Sequence, residues 1–233
     1  MDRETRWDNF IQENLVREME KLNFISPLVV EFADLIKSDE SGKILDLGCG
    51  LGRHMHYLSH RGFNVLGFDI SEKTLMRAEE LAKTANLKLD FVRGDYMDLP
   101  FHNGVFQGVI SISTLHHDFP DSIYSGFREI RRVLNFGGYF ALDPLSVNDG
   151  RFGQGRALGE KLYIMHKVPH YFFEEDELLN LLERLFFKVV VMKKYSNKIE
   201  GADGKITSER FHVIARKTRR KRKYIPPLRH MLL

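Results

Sequence analysis

Asp46-Leu-Gly-Cys-Gly-Leu-Gly52 is the stretch whose residue types and spacing could do chemistry. Gly48, Gly50 and Gly52 alternate with Cys49 and Leu51 directly after an apolar run, Ile44–Leu47, and before a helical pattern. Glycine has no Cβ and tolerates positive φ, so a ligand can approach this main chain closely. The N–H groups that open the following helix are unpaired donors aimed at the same place. Asp69, seventeen residues after Gly52, ends the next strand and can hydrogen-bond the vicinal hydroxyls of a ribose. Asp95, after Gly94, ends the third strand. In an open parallel sheet these strand ends face one crevice, so Asp46, Asp69 and Asp95 would line one rim. Such a rim repels a pyrophosphate and suits a ligand with a cationic centre, an amino group and ribose hydroxyls. A nicotinamide dinucleotide is the competing ligand; its usual Gly-x-Gly-x-x-Gly spacing is not met here.

A second group lies just past the fourth strand, in Leu115-His116-His117-Asp118. A histidine there can serve as a base at neutral pH, which makes His116 and His117 the catalytic candidates; the alternative is that they pack or cap. Residues 145–173 follow the fifth strand and read as the substrate side. They are glycine-rich and polar in Ser146–Arg156, and they offer His170 and Tyr171 before the next helix. An ordinary surface loop is the other reading of this segment. No metal-ligand cluster is present in the sequence.

The elements that must position these groups follow from periodicity. Trp7, Phe10, Ile11, Leu15, Met19 and Leu22 recur at helical spacing over 5–22, either as a lid over the crevice or as a stripe packed on the sheet. Ser26-Pro27 opens a second helix to about Lys37, and Ser38–Gly42 is a polar linker. Strands are predicted at 44–47, 64–69, 89–93, 106–112 and 139–142. Helices are predicted at 53–60, after Ser71, and from Asp121 to a stop at Gly137-Gly138. A helix over 174–185 then precedes two strands, near 187–193 and 209–216, with a turn at Ala202–Lys205. The alternation predicts an α/β fold: a doubly wound seven-stranded sheet, mostly parallel with a reversed last strand, and helices on both faces.

Composition bounds the rest. The chain has 233 residues, 43% hydrophobic and 29% charged, which suits one substantial domain. No run of about 18 apolar residues exists, the N-terminus is charged, and Cys49 is the only cysteine. A cytoplasmic protein with no membrane partner is expected. The net charge is +3, yet residues 216–223 alone carry seven positive charges, so the remaining chain is mildly acidic. Any nucleic-acid contact would therefore run through 216–223 and not through a face of the domain. A solvated terminus is the plainer reading of that run.

Asp46–Gly52, Asp69, Gly94-Asp95, Phe106–His117 and Arg131–Phe140 together resemble the signature of class I S-adenosylmethionine-dependent methyltransferases, of the type 11 and tellurite-resistance-like group. The resemblance covers roughly residues 40–145, and the terminal hairpin is similar to the family's reversed seventh strand. It implies S-adenosyl-L-methionine as cofactor, with Gly48 and Gly50 bordering the methionine moiety and Asp69, followed by Ile70, holding the ribose. Asp95 would face the adenine amino group, Tyr96 and Met97 would flank the ring, and Ser111 to Thr114 would sit near the methionine end. Gln107 departs from the aspartate that many relatives carry there. Three units are expected: a helical cap over 1–40, the cofactor-binding domain over 41–217, and a basic tail over 218–233. The resemblance implies methyl transfer by in-line displacement, with a small-molecule acceptor expected. An RNA or protein acceptor docked by the tail, and a non-catalytic regulatory protein, are the alternatives. Oligomeric state is not legible.

Overall fold

The computed structural model describes residues 2–36, 42–201 and 204–219. The chain opens with α1 (Arg3–Glu20), kinked at Asn14 and capped by Asp2, whose side chain accepts the Thr5 N–H. A single 3-10 turn (Lys21–Asn23) leads to α2 (Pro27–Ile36). Then follow β1 (Lys43–Leu47), α3 (Arg53–His60), β2 (Asn64–Asp69), α4 (Glu72–Thr84), β3 (Asp90–Arg93) and β4 (Phe106–Ser111). Next come α5 (Pro120–Val133), β5 (Leu134–Leu142), β6 (Arg156–Ala157), β7 (Leu162–Met165) and β8 (Val168–Tyr171). α6 (Glu175–Arg184), β9 (Phe187–Gly201) and β10 (Gly204–Lys217) complete it.

Seven strands form one sheet in the order β3-β2-β1-β4-β5-β10-β9. β10 runs antiparallel to both β5 and β9, while the β1–β2, β1–β4, β2–β3 and β4–β5 pairs are parallel. This is the doubly wound sheet with a reversed strand that the sequence pattern predicts. The chain steps outward from β1 to β3 and then returns to the other side of β1 to lay down β4. The β1–β4 boundary is thus a switch point, where a crevice opens beyond the strand ends.

Each face of the sheet has its own core. On one side α5 and α6 bury Ile123, Phe127, Ile130, Val133, Leu178 and Leu182 against Phe140 and Phe211. On the other, α2, α3 and α4 bury Phe32, Met55, Leu58 and Leu75 against Ile44 and Ile110. Each fully buried Phe or Leu contributes about 1.5–3 kcal/mol relative to leaving it in water.

One expectation and one alternative need correction. α5 does not run to Gly137-Gly138: it stops at Val133, and β5 begins at Leu134, which pairs with Phe106. The β4–β5 register shifts before Gly108 meets Tyr139, so the two glycines accommodate a bulge inside a strand. Next, residues 145–173 are not a plain loop, because β6, β7 and β8 form a small antiparallel sheet there. Arg216, where the predicted last strand ends, lies in β10 together with Lys217, and Arg216 Nε donates to the Gly137 carbonyl at 2.9 Å. The basic run therefore starts inside the sheet, and its remainder beyond residue 219 lies outside the described residues. Among the described residues no helix is long and apolar enough to cross a membrane, and no His, Cys, Asp and Glu group could hold a metal ion.

The approach of α2 to the sheet depends on Gly108. A Cβ there would stand 2.6 Å from Phe32 Cζ and 3.0 Å from Ile44 Cδ1. Gly108→Val should cost about 1–3 kcal/mol, lowering the melting temperature by roughly 2–12 °C. Adding Phe32→Leu should recover part of the loss in a calorimetric double-mutant cycle; strict additivity would refute the contact.

Candidate functional site

β1 and β2 end side by side, with Leu47 paired to Phe68, and the glycine turn folds back over β2. The N–H groups of Gly48 and Cys49 both donate to the Phe68 carbonyl, at 2.7 and 3.1 Å. Asp69 completes the junction: Oδ2 accepts the Gly50 N–H at 3.0 Å and Oδ1 accepts the Ser71 N–H at 3.0 Å. Gly48 (φ +73°) and Gly50 (φ +53°) both have positive φ, but their surroundings differ. A Cβ at Gly48 would collide with Thr114 Oγ1 at 2.2 Å, whereas one at Gly50 would meet nothing within 4 Å. The turn is packed from below at Gly48 and open at Gly50.

That opening belongs to a cavity of about 950 Å³. Gly48, Cys49, Gly50, Asp69, Ile70 and Tyr96 line it, as do Ser113, Thr114 and His117. Asp46 lies beneath the turn, and burial pushes its carboxyl up to about 7, with Arg53 opposing and Asp69 adding to the shift. Its Oδ2 has no hydrogen-bond partner among the described residues. Asp69 is also raised, by burial, against the pull of its bonds from Ser71 and Gly50. Gly52 is the N-cap residue of α3, and Ser111 is buried at the end of β4 with Oγ unpartnered. Asp95 Oδ1 accepts the Met97 N–H at 2.8 Å.

α1 closes this crevice from above. Arg3 reaches in, with Nη1 2.6 Å from Asp95, Nη2 paired to Asp118, and the guanidinium 4.4 Å from the Tyr96 ring centre. Asp118 also accepts the Tyr96 hydroxyl at 3.0 Å. Further along α1, Asp8 accepts the Ser71 hydroxyl at 2.5 Å, and Trp7 stands edge-on to His117 at 5.6 Å. The sequence pattern marked the apolar residues of this helix; nothing in it singled out Arg3.

His116, His117 and His170 come together, with ring centres 4.1 Å apart for the first pair and 4.5 Å for His117–His170. Only His117 and His170 line the cavity; His116 is buried behind them with Nε2 unpartnered. His170 Nδ1 lies 2.9 Å from the Val168 carbonyl, so the neutral ring donates there and keeps Nε2 as acceptor. Burial pushes His116 and His117 well below the usual imidazole range, helped by neighbouring histidines and by Arg210 and Arg151, and takes His170 down to about 4.

The structure also brings in residues that sequence reasoning missed. Arg151, in the loop after β5, is paired with Asp149, while Arg210 on β10 is paired with Asp143 at 3.2 Å. Both line the cavity, as do Tyr195 and Ser208 of the β9–β10 hairpin. No sequence signal singled these out: the strands predicted near 187–193 and 209–216 stop short of Tyr195 and Ser208 in the longer hairpin.

The buried imidazoles set a pH dependence of stability. His54, also pushed well below 6.5 by burial and by Arg53, joins His116, His117 and His170 in being neutral when folded. Unfolding lets each take up a proton below about pH 6.5, so their stabilisation is present above that pH and lost as pH falls. The loss approaches about 1.4 kcal/mol per pH unit for each ring. Asp46 and Asp69, with raised carboxyls, work in the opposite sense on acidification, but they are outnumbered. The urea midpoint should therefore fall between pH 7 and pH 5; a rise would show that the histidines are not held neutral.

Residues 44–138 match the family model of a methyltransferase domain. A sterol 24-C-methyltransferase of Gibberella zeae is 34% identical over 141 residues, covering 55% of this chain and 36% of that protein. An uncharacterized methyltransferase of Synechocystis is 40% identical over 103 residues, 44% of this chain and 47% of that one. The chain thus spans less than half the length of these curated relatives. A methyltransferase structure from Methanosarcina mazei superposes with a TM-score of 0.68 at 24% identity, covering 83% of this chain and 98% of that chain. The 1,6-didemethyltoxoflavin-N1-methyltransferase of Burkholderia thailandensis, with bound 1,6-didemethyltoxoflavin and S-adenosylhomocysteine, gives 0.65 at 21%, covering 94% and 92%. These superpositions show the fold. The glycine turn, the sheet order and the match agree: residues 44–138 are similar to a methyltransferase domain, within a fold shared with solved methyltransferases.

Proposed function

We propose that this protein transfers a methyl group from S-adenosylmethionine to a small molecule enclosed beneath α1 and the β9–β10 hairpin. The observation that carries this reading is the open space at Gly50 beside the Asp69 carboxylate, inside a cavity of about 950 Å³. Small-molecule pockets measure roughly 300–1,000 Å³, so this one has room for a cofactor and a compact acceptor together. Relatives named for sterols, and a neighbour crystallised with a toxoflavin precursor, support an acceptor of that size.

The residues present fit the cofactor. The bare backbone at Gly48–Gly50 would border its amino-acid end, Asp69 would accept from its ribose hydroxyls, and Tyr96 would flank its ring. S-adenosylmethionine supplies a methyl group on a positively charged sulfur. The protein's contribution is largely placement, which can be worth about 7–11 kcal/mol. α1 and the hairpin line the cavity and would shield a bound acceptor from water, which strengthens electrostatic contacts to it. His117 and His170 are neutral at pH 7, so either can accept a hydrogen bond from the acceptor. His116 supports the His117 ring from behind.

Titration calorimetry with S-adenosylmethionine should show one site per chain. Gly50→Ala should weaken it at least tenfold, although left-handed strain should cost the fold only about 1–2 kcal/mol. Asp69→Ala should weaken it roughly 10- to 100-fold, the worth of one hydrogen bond to a charged group. The reading fails if the wild-type protein binds no S-adenosylmethionine. It also fails if methyl-labelled cofactor marks no small-molecule fraction of a cell extract.

A further inference from the structure

The loop after β5 and strand β10 give the cavity a pair of arginines whose hydrogen bonding is incomplete. Arg151 is fixed by Asp149, with Nε and Nη2 each at 2.8 Å from its carboxylate, and Nη2 also reaches Ser208 Oγ at 2.9 Å. Among the described residues its Nη1 makes no hydrogen bond. Arg210 uses only Nη1, towards Ser113 Oγ at 3.1 Å and towards the Asp143 carbonyl and carboxylate at 3.3 and 3.2 Å. Its Nε and Nη2 make none among the described residues. Both side chains are less than a fifth exposed and both line the cavity.

Each arginine has one partner carboxylate, and each carboxylate also holds other groups in place. Asp149 also accepts the Ser208 hydroxyl and the backbone N–H groups of Arg151 and Glu209. Asp143 also accepts the backbone N–H of Ser113 at 2.5 Å. The histidines beside them are neutral. Burial and the nearness of Arg151 push the Arg210 guanidinium down even though Asp143 faces it. The unused guanidinium N–H groups belong to two cavity-lining side chains, and an oxyanion in the cavity would give them partners. Trp7, Phe10, Ile164, Ile199 and Ile206 supply an apolar wall to the same cavity.

Resting on the methyltransferase reading, we propose that the acceptor is an organic anion: an apolar body bearing a carboxylate or phosphate that takes the free N–H groups of Arg151 and Arg210. Guanidinium groups match such oxyanions in geometry as well as in charge.

Trp7 is the only tryptophan and lines the cavity, so its fluorescence reports occupancy. The full chain is titrated with benzoate and phenyl phosphate, and with benzamide as the neutral isostere of benzoate. At least one anion should bind ten times more tightly than benzamide. Arg151→Gln and Arg210→Gln should each bring that ratio to threefold or less, and Arg210→Lys should lie between. S-adenosylmethionine affinity, measured on the same samples, should stay within threefold of wild type and shows that the variants are folded. Equal binding of anions and benzamide overturns the proposal, as does no quenching by any of the three. An anion preference that survives in folded variants also overturns it. If the anion preference holds but S-adenosylmethionine does not bind, the methyltransferase reading fails and the anion site stands. If S-adenosylmethionine binds without any anion preference, the reverse applies.

Discussion

One carboxylate holds the site together. Asp69 sits at the end of β2 and accepts N–H groups from two directions, Gly50 in the turn after β1 and Ser71 at the cap of α4. It thereby fixes the relative position of two strand ends and two helix starts. Ser71 then caps α4 through the Thr74 N–H, so the constraint passes into the helix behind it. A charged acceptor is suited to this, because charge-assisted hydrogen bonds are shorter and stronger than neutral ones. With the turn pinned on the Asp69 side and filled by Thr114 beneath Gly48, the only unfilled face is at Gly50. The crevice is what remains once every other contact of that turn is satisfied.

The cavity built on this junction has walls of different character. The glycine turn presents backbone and one acid. The histidine cluster presents neutral rings kept neutral by burial. The hairpin and the loop after β5 bring guanidinium groups. The small sheet β6-β7-β8 matters here because it carries His170 and anchors it to the turn after β4, where the Tyr171 N–H donates to the His116 carbonyl at 2.7 Å. Chemistry-bearing side chains from four separate segments are thus held by main-chain bonds and not by loop collapse.

The parallel half of the molecule was legible because its signals are local. Ser71 at the start of α4, Asn64–Asp69 as a strand and Arg53–His60 as a helix all follow from neighbours in sequence. Asp69 was legible as a site residue for the same reason, since its distance from the glycine turn is set by one helix. Where the competing physics was long-range, the reading failed. Gly137-Gly138 looked like a helix stop, but pairing of Leu134 with Phe106 claimed the segment for a strand. β6, β7 and β8 are two to four residues long and include Pro169, too short to show a period. Arg151 and Arg210 lie 59 residues apart in the chain and meet only because β10 returns beside β5.

The roof and the floor of the cavity are made by different forces. No residue of α1 is fully buried, and the helix is tied down mainly by charge. Arg3 holds its first turn to Asp95 and Asp118, Glu4 meets Arg93 at 2.8 Å, and Glu13 meets Lys167 at 3.5 Å. The sheet beneath is held by dry apolar contact. Salt screens exposed pairs over about 8 Å at physiological strength and leaves buried apolar contacts in place. Ionic strength therefore acts on the roof more than on this apolar floor, and unevenly. The exposed Glu13–Lys167 link beyond the middle of the helix weakens before the half-buried Arg3 anchor at its start. The kink at Asn14 lies next to that weaker link. Added salt thus loosens the hold on the roof near Asn14 before it loosens the end that Arg3 anchors.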